Sequence, residues 1–362
     1  MTAGSDGAEA EFGGSASSAA LPLLVTGVAG VPGYNAFRYF ADRHPGQVVG
    51  LRREKNWPLS GDGIVGVDLE DRDAVARLFE RHRFGAVLDA EGTCALKSCE
   101  LDPKMAWRAN VLGAKNVAEL AREFGCRLVR LSIDLVFAGR EGGAYVETDS
   151  VDPVTVYGKT MAESETVVAE IDPQVCLLRI SLPMGVSFNG HAGAIDWIQS
   201  RFKKGRPATL YYDEIRTPTY VDCMNGLYRR LLFGEPLPGL YHAGGPRRLS
   251  LYQIAQIVNR IGGYDPDLLM GCLRHEAGPV PPRAGDVGLD SSKLKQALGS
   301  DPFDAWPFFD RHVPTDRSWH FERPAEESPS PRLLAEVLYR NPNPDRSFPL
   351  PPVRPQSARE KA

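Results

Sequence analysis

The residues best suited to chemistry lie in one short stretch, Leu23 to Gly33, where LLVTGVAGVPG carries glycines at 27, 30 and 33. Apolar residues precede it and a helix-like aromatic run, YNAFRYFA, follows, so a buried strand turns sharply into a helix. Gly27 allows the tight turn, Gly30 lets a pyrophosphate approach the backbone, and Gly33 lets the helix lie close on the sheet. N–H groups at the helix start then face the phosphates, as in a dinucleotide-binding turn; the alternative is a purely structural turn. Pro32 acts against binding, because it removes one donor from the loop. The next strand, Gln47 to Leu51, ends in Arg52-Arg53. An acid there would take the ribose hydroxyls of NAD, whereas a guanidinium suits the extra phosphate of NADP. NADP is expected over NAD, the alternative being two solvated arginines.

Little else in the chain has the spacing of a reactive site. Six cysteines are scattered without a Cys-x-x-Cys pair, and seven histidines are equally dispersed, so no metal site is expected. Net charge is −4 over 362 residues, which leaves no electrostatic footprint for DNA or RNA. No apolar run approaches the length of a membrane span. The first 20 residues are Gly, Ala, Ser and acid, which reads as a flexible tail and not a signal peptide, and a cytoplasmic location is expected.

The elements that must hold the turn alternate strand and helix. Strands are expected at Gly63 to Val67, Gly85 to Asp89, Arg127 to Ser132 and Val175 to Ile180. Helices are expected at Arg72 to Arg83, Pro103 to Gly113, Ala114 to Phe124 and from Val156 to about Glu170. Parallel strands joined by crossovers make a Rossmann-type doubly wound α/β sheet. The expected division is a disordered tail over 1–20, a dinucleotide-binding core over 21–180, and a smaller substrate lobe over 181–299 with which later core segments interleave. A proline- and aromatic-rich arm over 300–362 packs on the body or a partner subunit. Within the lobe, helices are expected at Ala194 to Phe202 and Ser250 to Ile261, and a short extended piece at Thr217 to Val221.

With these pieces placed, the chain resembles the extended short-chain dehydrogenase/reductase superfamily and, within it, the dTDP-4-dehydrorhamnose reductase family. TGVAGVPG, Asp68-Leu69, Asn110-VLGAKN, SIDLVFAG, VYGKT, LRIS, RTPTYV and LYHAGG carry the resemblance over Leu21 to Gly299. It implies that Gly27, Gly30 and Gly33 hold a pyrophosphate, that Asp68 and Leu69 flank an adenine, and that Asn110 lies behind the active site. Active members use a Ser or Thr, a Tyr and a Lys in the pattern Tyr-x-x-x-Lys. Here Tyr157 is present, but Met161 stands at the lysine position and Ile133 at the Ser/Thr position. Lys159 lies about 200° round the helix from the needed face, and Ser132 points to the opposite side of its strand from Ile133. The family's Asn after the fourth strand is replaced by Asp89-Ala90-Glu91-Gly92, where a carboxylate could repel phosphates or bind a sugar hydroxyl.

Two functions follow. One is an NADP-dependent reductase, or related epimerase, acting on a nucleotide-linked sugar, with Tyr157 as proton donor and Arg216, Thr217 and Tyr220 lining the substrate pocket. The same RTPTYV stretch reads equally as a structural strand. The other is a non-catalytic subunit that keeps the fold, with or without the nucleotide, and supports a homo-oligomer or partner protein. The regulatory beta subunit of methionine adenosyltransferase belongs to the same family, so the fold can carry that role.

Overall fold

A computed structural model describes residues 19–55, 59–190, 193–278, 281–323 and 328–342. Short runs such as LLV and AVLD, apolar on consecutive positions, are the pattern of strands covered on both faces. They form the centre of a seven-stranded parallel sheet. Its strands are β1 (Leu23–Val25), β2 (Val48–Arg52), β3 (Ile64–Gly66), β4 (Ala86–Asp89), β5 (Arg127–Ile133), β6 (Cys176–Ile180) and β7 (Gly239–Ala243), in spatial order β3-β2-β1-β4-β5-β6-β7. Leu24 sits opposite both Val49 and Val87, and Asp89 opposite Arg130.

Alternate residues feed two helical layers. Leu23, Val25, Val129 and Leu131 join the cluster of Phe37, Phe40, Leu227 and Tyr228, from α1 (Val31–Arg43) and the helix Val221–Phe233. Leu24, Val49, Val87 and Leu128 join Val75, Leu78 and Phe79 of α2 (Arg72–His82) and Val117 and Leu120 of α3 (Gly113–Glu123). α4 (Val156–Ile171) lies beside α3 and starts where the Thr155 side chain accepts from Gly158 N at 2.9 Å. The chain runs from β1 outward to β3, then returns to β4 and runs the other way. Strand order therefore reverses between β1 and β4, and a crevice opens at their carboxyl ends.

Three features differ from the sequence reading. Gly239–Ala243 completes the sheet as a seventh strand, paired among the described residues only to β6, where a short edge strand carrying a histidine gives little periodic signal. Helix Val221–Phe233 begins directly at the end of Thr219–Tyr220, with no loop to announce it. The helix expected from Pro103 to Gly113 is an α-helix only to Trp107; a π-turn over Arg108–Leu112 follows and leads straight into α3. That turn holds Asn110.

Residues beyond β6 also build a smaller layer. Ala208–Tyr211 pairs with Leu269–Cys272, and Ile215–Arg216 with Leu249–Ser250, under the helix Leu251–Gly262. A Ser250/Gln253 capping box starts that helix. The following segment is held to this layer. Trp306 is fully buried and its Nε1 donates to Leu338 O at 2.9 Å, while Tyr339 Oη accepts from Gln199 Nε2 at 2.5 Å. Most of the expected N-terminal tail, residues 1–18, and the proline-rich FPLPPVRP lie outside the described residues.

Candidate functional site

The crevice is built on the glycine turn. Thr26 closes β1 by donating its N–H to Leu88 O at 3.0 Å and its hydroxyl to Asp89 Oδ1 at 2.6 Å, so the turn is tied to the end of β4. Gly27 has φ +67°, and a Cβ there would lie 2.3 Å from Ala90 O; a Cβ on Gly33 would lie 2.3 Å from Gly27 O. No side chain fits at either place. At Gly30 a Cβ would meet nothing nearer than Gly27 O at 3.4 Å, so that residue leaves a cradle a side chain would fill. Its N–H is used on Gly27 O, and the first helical bond runs from Tyr34 N to Gly30 O. The N–H groups of Val31 and Gly33 then have no carbonyl within α1, and Pro32 has no N–H. No side chain caps α1 and no acid stands in its first turn. The backbone thus fits a phosphate group despite the proline.

The second-strand arginines are engaged by the protein. Arg52 donates from Nε to Leu59 O at 2.6 Å and from Nη1 to Arg53 O and Glu54 O at 2.9 and 2.8 Å, which closes its own loop. Arg53 reaches Glu70 Oε1 at 2.6 Å and faces Asp68 at 4.0 Å, and a quarter of its side chain stays in solvent. Asp68 accepts from Glu54 N at 2.9 Å. Leu69 is buried against Gly113, and its carbonyl accepts from Asn116 Nδ2 at 2.8 Å. These four residues lie together at the ends of β2 and β3.

Tyr157, Met161 and Ile133 are all buried within the larger apolar core. Tyr157, on the first turn of α4, is 8% exposed; burial, with smaller contributions from Cys94 and Asp134, holds its phenol far above the ordinary tyrosine value, and Arg130 and Arg216 only partly oppose this. Met161, 3% exposed, fills the position one helical turn on, and its sulfur lies 3.8 Å from where a Cβ on Gly92 would be. Lys159 is exposed, away from that face. Ser132 donates to Glu165 on the opposite side of the sheet from Ile133. Asn110 joins the two halves of the site: its Oδ1 accepts from Thr93 N at 2.7 Å and its Nδ2 donates to Thr160 Oγ1 at 2.8 Å.

The RTPTYV residues are spent on packing and pairing. Arg216 is buried and its Nε donates to Asp134 Oδ2 at 2.6 Å, the same oxygen that accepts from Ser181 Oγ at 2.6 Å. Burial still pushes the Asp134 carboxyl above its ordinary value. Thr217 lies against Gly244, where a Cβ would be 2.4 Å from its Oγ1. Tyr220 Oη donates to Val337 O at 3.1 Å and accepts from Phe308 N at 3.0 Å, so it anchors the C-terminal segment.

Two buried charge networks were not read from the sequence. Arg130 Nη1 pairs with Asp89 Oδ2 at 2.8 Å and also donates to Glu91 O at 2.8 Å, fixing the end of β4. Glu165 pairs with Arg179 at 2.7 Å, and Arg179 Nη1 lies 3.3 Å from His242 Nε2. Burial holds that imidazole below its ordinary value; its Nδ1 donates to Tyr145 O at 2.9 Å. The signal was a charge inside each apolar strand. Register sets Asp89 beside Arg130, and Ser132, Arg179 and His242 side by side. Glu91 is buried above the glycine turn, where burial raises its carboxyl to about 7. Among the described residues no three His, Cys, Asp or Glu side chains converge on a metal-sized site, and no helix is long and apolar enough to cross a membrane.

Comparison with known proteins accords with this geometry. A family model described as RmlD substrate binding domain matches residues 21–306. The dTDP-4-dehydrorhamnose reductase of Aggregatibacter actinomycetemcomitans is 25% identical over 294 residues, 78% of this chain and 95% of that protein. Methionine adenosyltransferase 2 subunit beta of Xenopus laevis is 24% identical over 317 residues, 82% of this chain and 89% of that protein. Among solved structures, dTDP-4-dehydrorhamnose reductase from Bacillus anthracis str. Ames, in complex with NADP, superposes with a TM-score of 0.65 at 19% identity, covering 78% of this chain and 95% of that one. The chain resembles dTDP-4-dehydrorhamnose reductase and belongs to the RmlD substrate binding domain family.

Proposed function

We propose that the protein binds a nicotinamide dinucleotide on the glycine turn and a nucleotide-linked sugar in the crevice, as a reductase whose proton-transfer step is weakened. The observation that carries this reading is the combination of an intact glycine cradle with Met161 one helical turn from Tyr157. A bound nicotinamide would supply the hydride. Gly27, Gly30, Gly33 and the N–H groups of Val31 and Gly33 would hold its pyrophosphate, and Asp68 and Leu69 would border the adenosine. Tyr157 would hold the proton at Oη. With a thioether in place of an ammonium, nothing at that position favours the tyrosinate, and burial disfavours it further. Proton exchange with a sugar oxygen is then slow near neutral pH.

NADP is the preferred dinucleotide in this proposal, because Arg53 keeps part of its side chain in solvent at the end of β2, where a ribose phosphate would lie. The test is a titration with NADPH and with NADH, followed by nicotinamide fluorescence, and then addition of a dTDP-4-keto sugar. Tighter NADPH with slow oxidation supports the proposal; equal affinities remove the argument from Arg53. A second reading, a supporting subunit for another enzyme, is favoured by the 82% of the chain that aligns with the methionine adenosyltransferase subunit. It predicts NADPH binding with no oxidation by any keto sugar and a change in a partner enzyme's activity on mixing.

A further inference from the structure

Glu91 lies two residues beyond β4, directly against the glycine turn. A Cβ on Gly27 would be 2.8 Å from Glu91 N, and that N–H donates to Thr26 Oγ1 at 3.1 Å. The residue is 9% exposed, and its carboxylate has no hydrogen bond or ion pair among the described residues. The charges that face it come from several elements: Arg53 after β2, Asp68 after β3, Asp89 on β4, Arg130 on β5 and Cys94 on the following loop. The Glu91 backbone thus abuts Gly27, the first glycine of the turn on which a pyrophosphate would rest.

We propose that Glu91 couples dinucleotide binding to the uptake of a proton, so that the crevice rejects a pyrophosphate-bearing ligand as this carboxylate ionises. The inference rests on the dinucleotide reading of the turn. A phosphate placed beside an ionised carboxylate meets a like charge at short range and little screening, whereas the protonated acid offers an O–H donor to the same oxygens. Arg53, held by Glu70, offsets one charge and not both. In the free protein burial sets the Glu91 titration near 7; a neighbouring phosphate raises it further. Affinity is therefore flat in acid and falls as pH rises, with a limit of about tenfold per pH unit for one proton.

The probe is NADH, because the additional phosphate of NADPH itself titrates at about 6. Isothermal titration from about pH 6 to about pH 9, in two buffers of different ionisation enthalpy, gives both affinity and protons taken up. The expected result is a dissociation constant that rises above neutrality by up to about tenfold per pH unit, with up to one proton bound per NADH. Glu91→Gln, which mimics the protonated acid, should bind NADH at the acid-side affinity throughout, with no buffer dependence. Adenosine, which lacks phosphate, should show no slope with either protein. NADH binding that is flat in the wild type, or a slope that survives in Glu91→Gln, overturns the inference alone. No binding of NADH or of NADPH to either protein at the acid end overturns the dinucleotide reading with it.

Discussion

Replacing Met161 by lysine together with Ile133→Thr should speed hydride transfer to a keto sugar. On a helix, side chains four residues apart have Cβ atoms about 5–6 Å from each other. At an effective dielectric of about 20, a unit cation at about 5.5 Å stabilises a tyrosinate by about 3 kcal/mol. At about 1.4 kcal/mol per pH unit, that lowers the phenol's pKa by about two units, and it gives up to about a hundredfold in rate if fully expressed in the barrier. The opposing effect is burial: Met161 is almost wholly enclosed, and an unpaired ammonium there costs several kcal/mol. The free double variant should accordingly melt earlier than wild type and regain part of the loss with NADPH, whose ribose hydroxyls would give the ammonium partners. The assay is single-turnover oxidation of NADPH by a dTDP-4-keto sugar, with Tyr157→Phe as the background. A variant that folds and binds NADPH yet gains less than about tenfold refutes the reasoning, and so does a gain that survives in Tyr157→Phe.

Arg130→Met leaves Asp89 buried without its ion pair and should cost about 3–5 kcal/mol in urea unfolding, while Asp89→Asn in the same chain should restore most of it. Trp306→Ala should cost about 3–5 kcal/mol by the same assay, since the indole is fully enclosed and bonded to Leu338 O; an unchanged curve would show the C-terminal segment to be dispensable. Glu91 has a folded value near 7, above its ordinary 4.5. Its stabilising contribution is therefore complete below about pH 4.5 and is lost as pH rises toward 7, about 3 kcal/mol in all. Glu91→Gln should remove that decline from a stability profile against pH, and an unaltered profile would assign it to other groups.

Much of the sheet was legible because its central strands are apolar on both faces and its helices carry strong periodicity; α2 and α3 fall close to where the pattern puts them. The edge strand β7 was not, because its buried slots hold His242 and a tyrosine whose roles depend on β6 alongside. The glycine turn could be read residue by residue, since each glycine answers to a steric demand of its own. The polar network could not: an isolated Arg130 or Arg179 looks like surface until the register brings Asp89 or His242 beside it. Tyr220 shows the same limit, since its hydroxyl partners, Phe308 and Val337, lie more than eighty residues away in the chain. Arg52 illustrates a local version, in which a side chain suited to a ligand is consumed by the carbonyls of its own loop.

Steady-state reduction of a dTDP-4-keto sugar at saturating NADPH shows whether an intact dinucleotide cradle is joined here to a weakened proton donor. NADPH should bind saturably, and kcat should lie well below the usual enzyme range of about 1–10³ s⁻¹. A wild-type kcat within that range would contradict that pairing, and so would the absence of any NADPH binding.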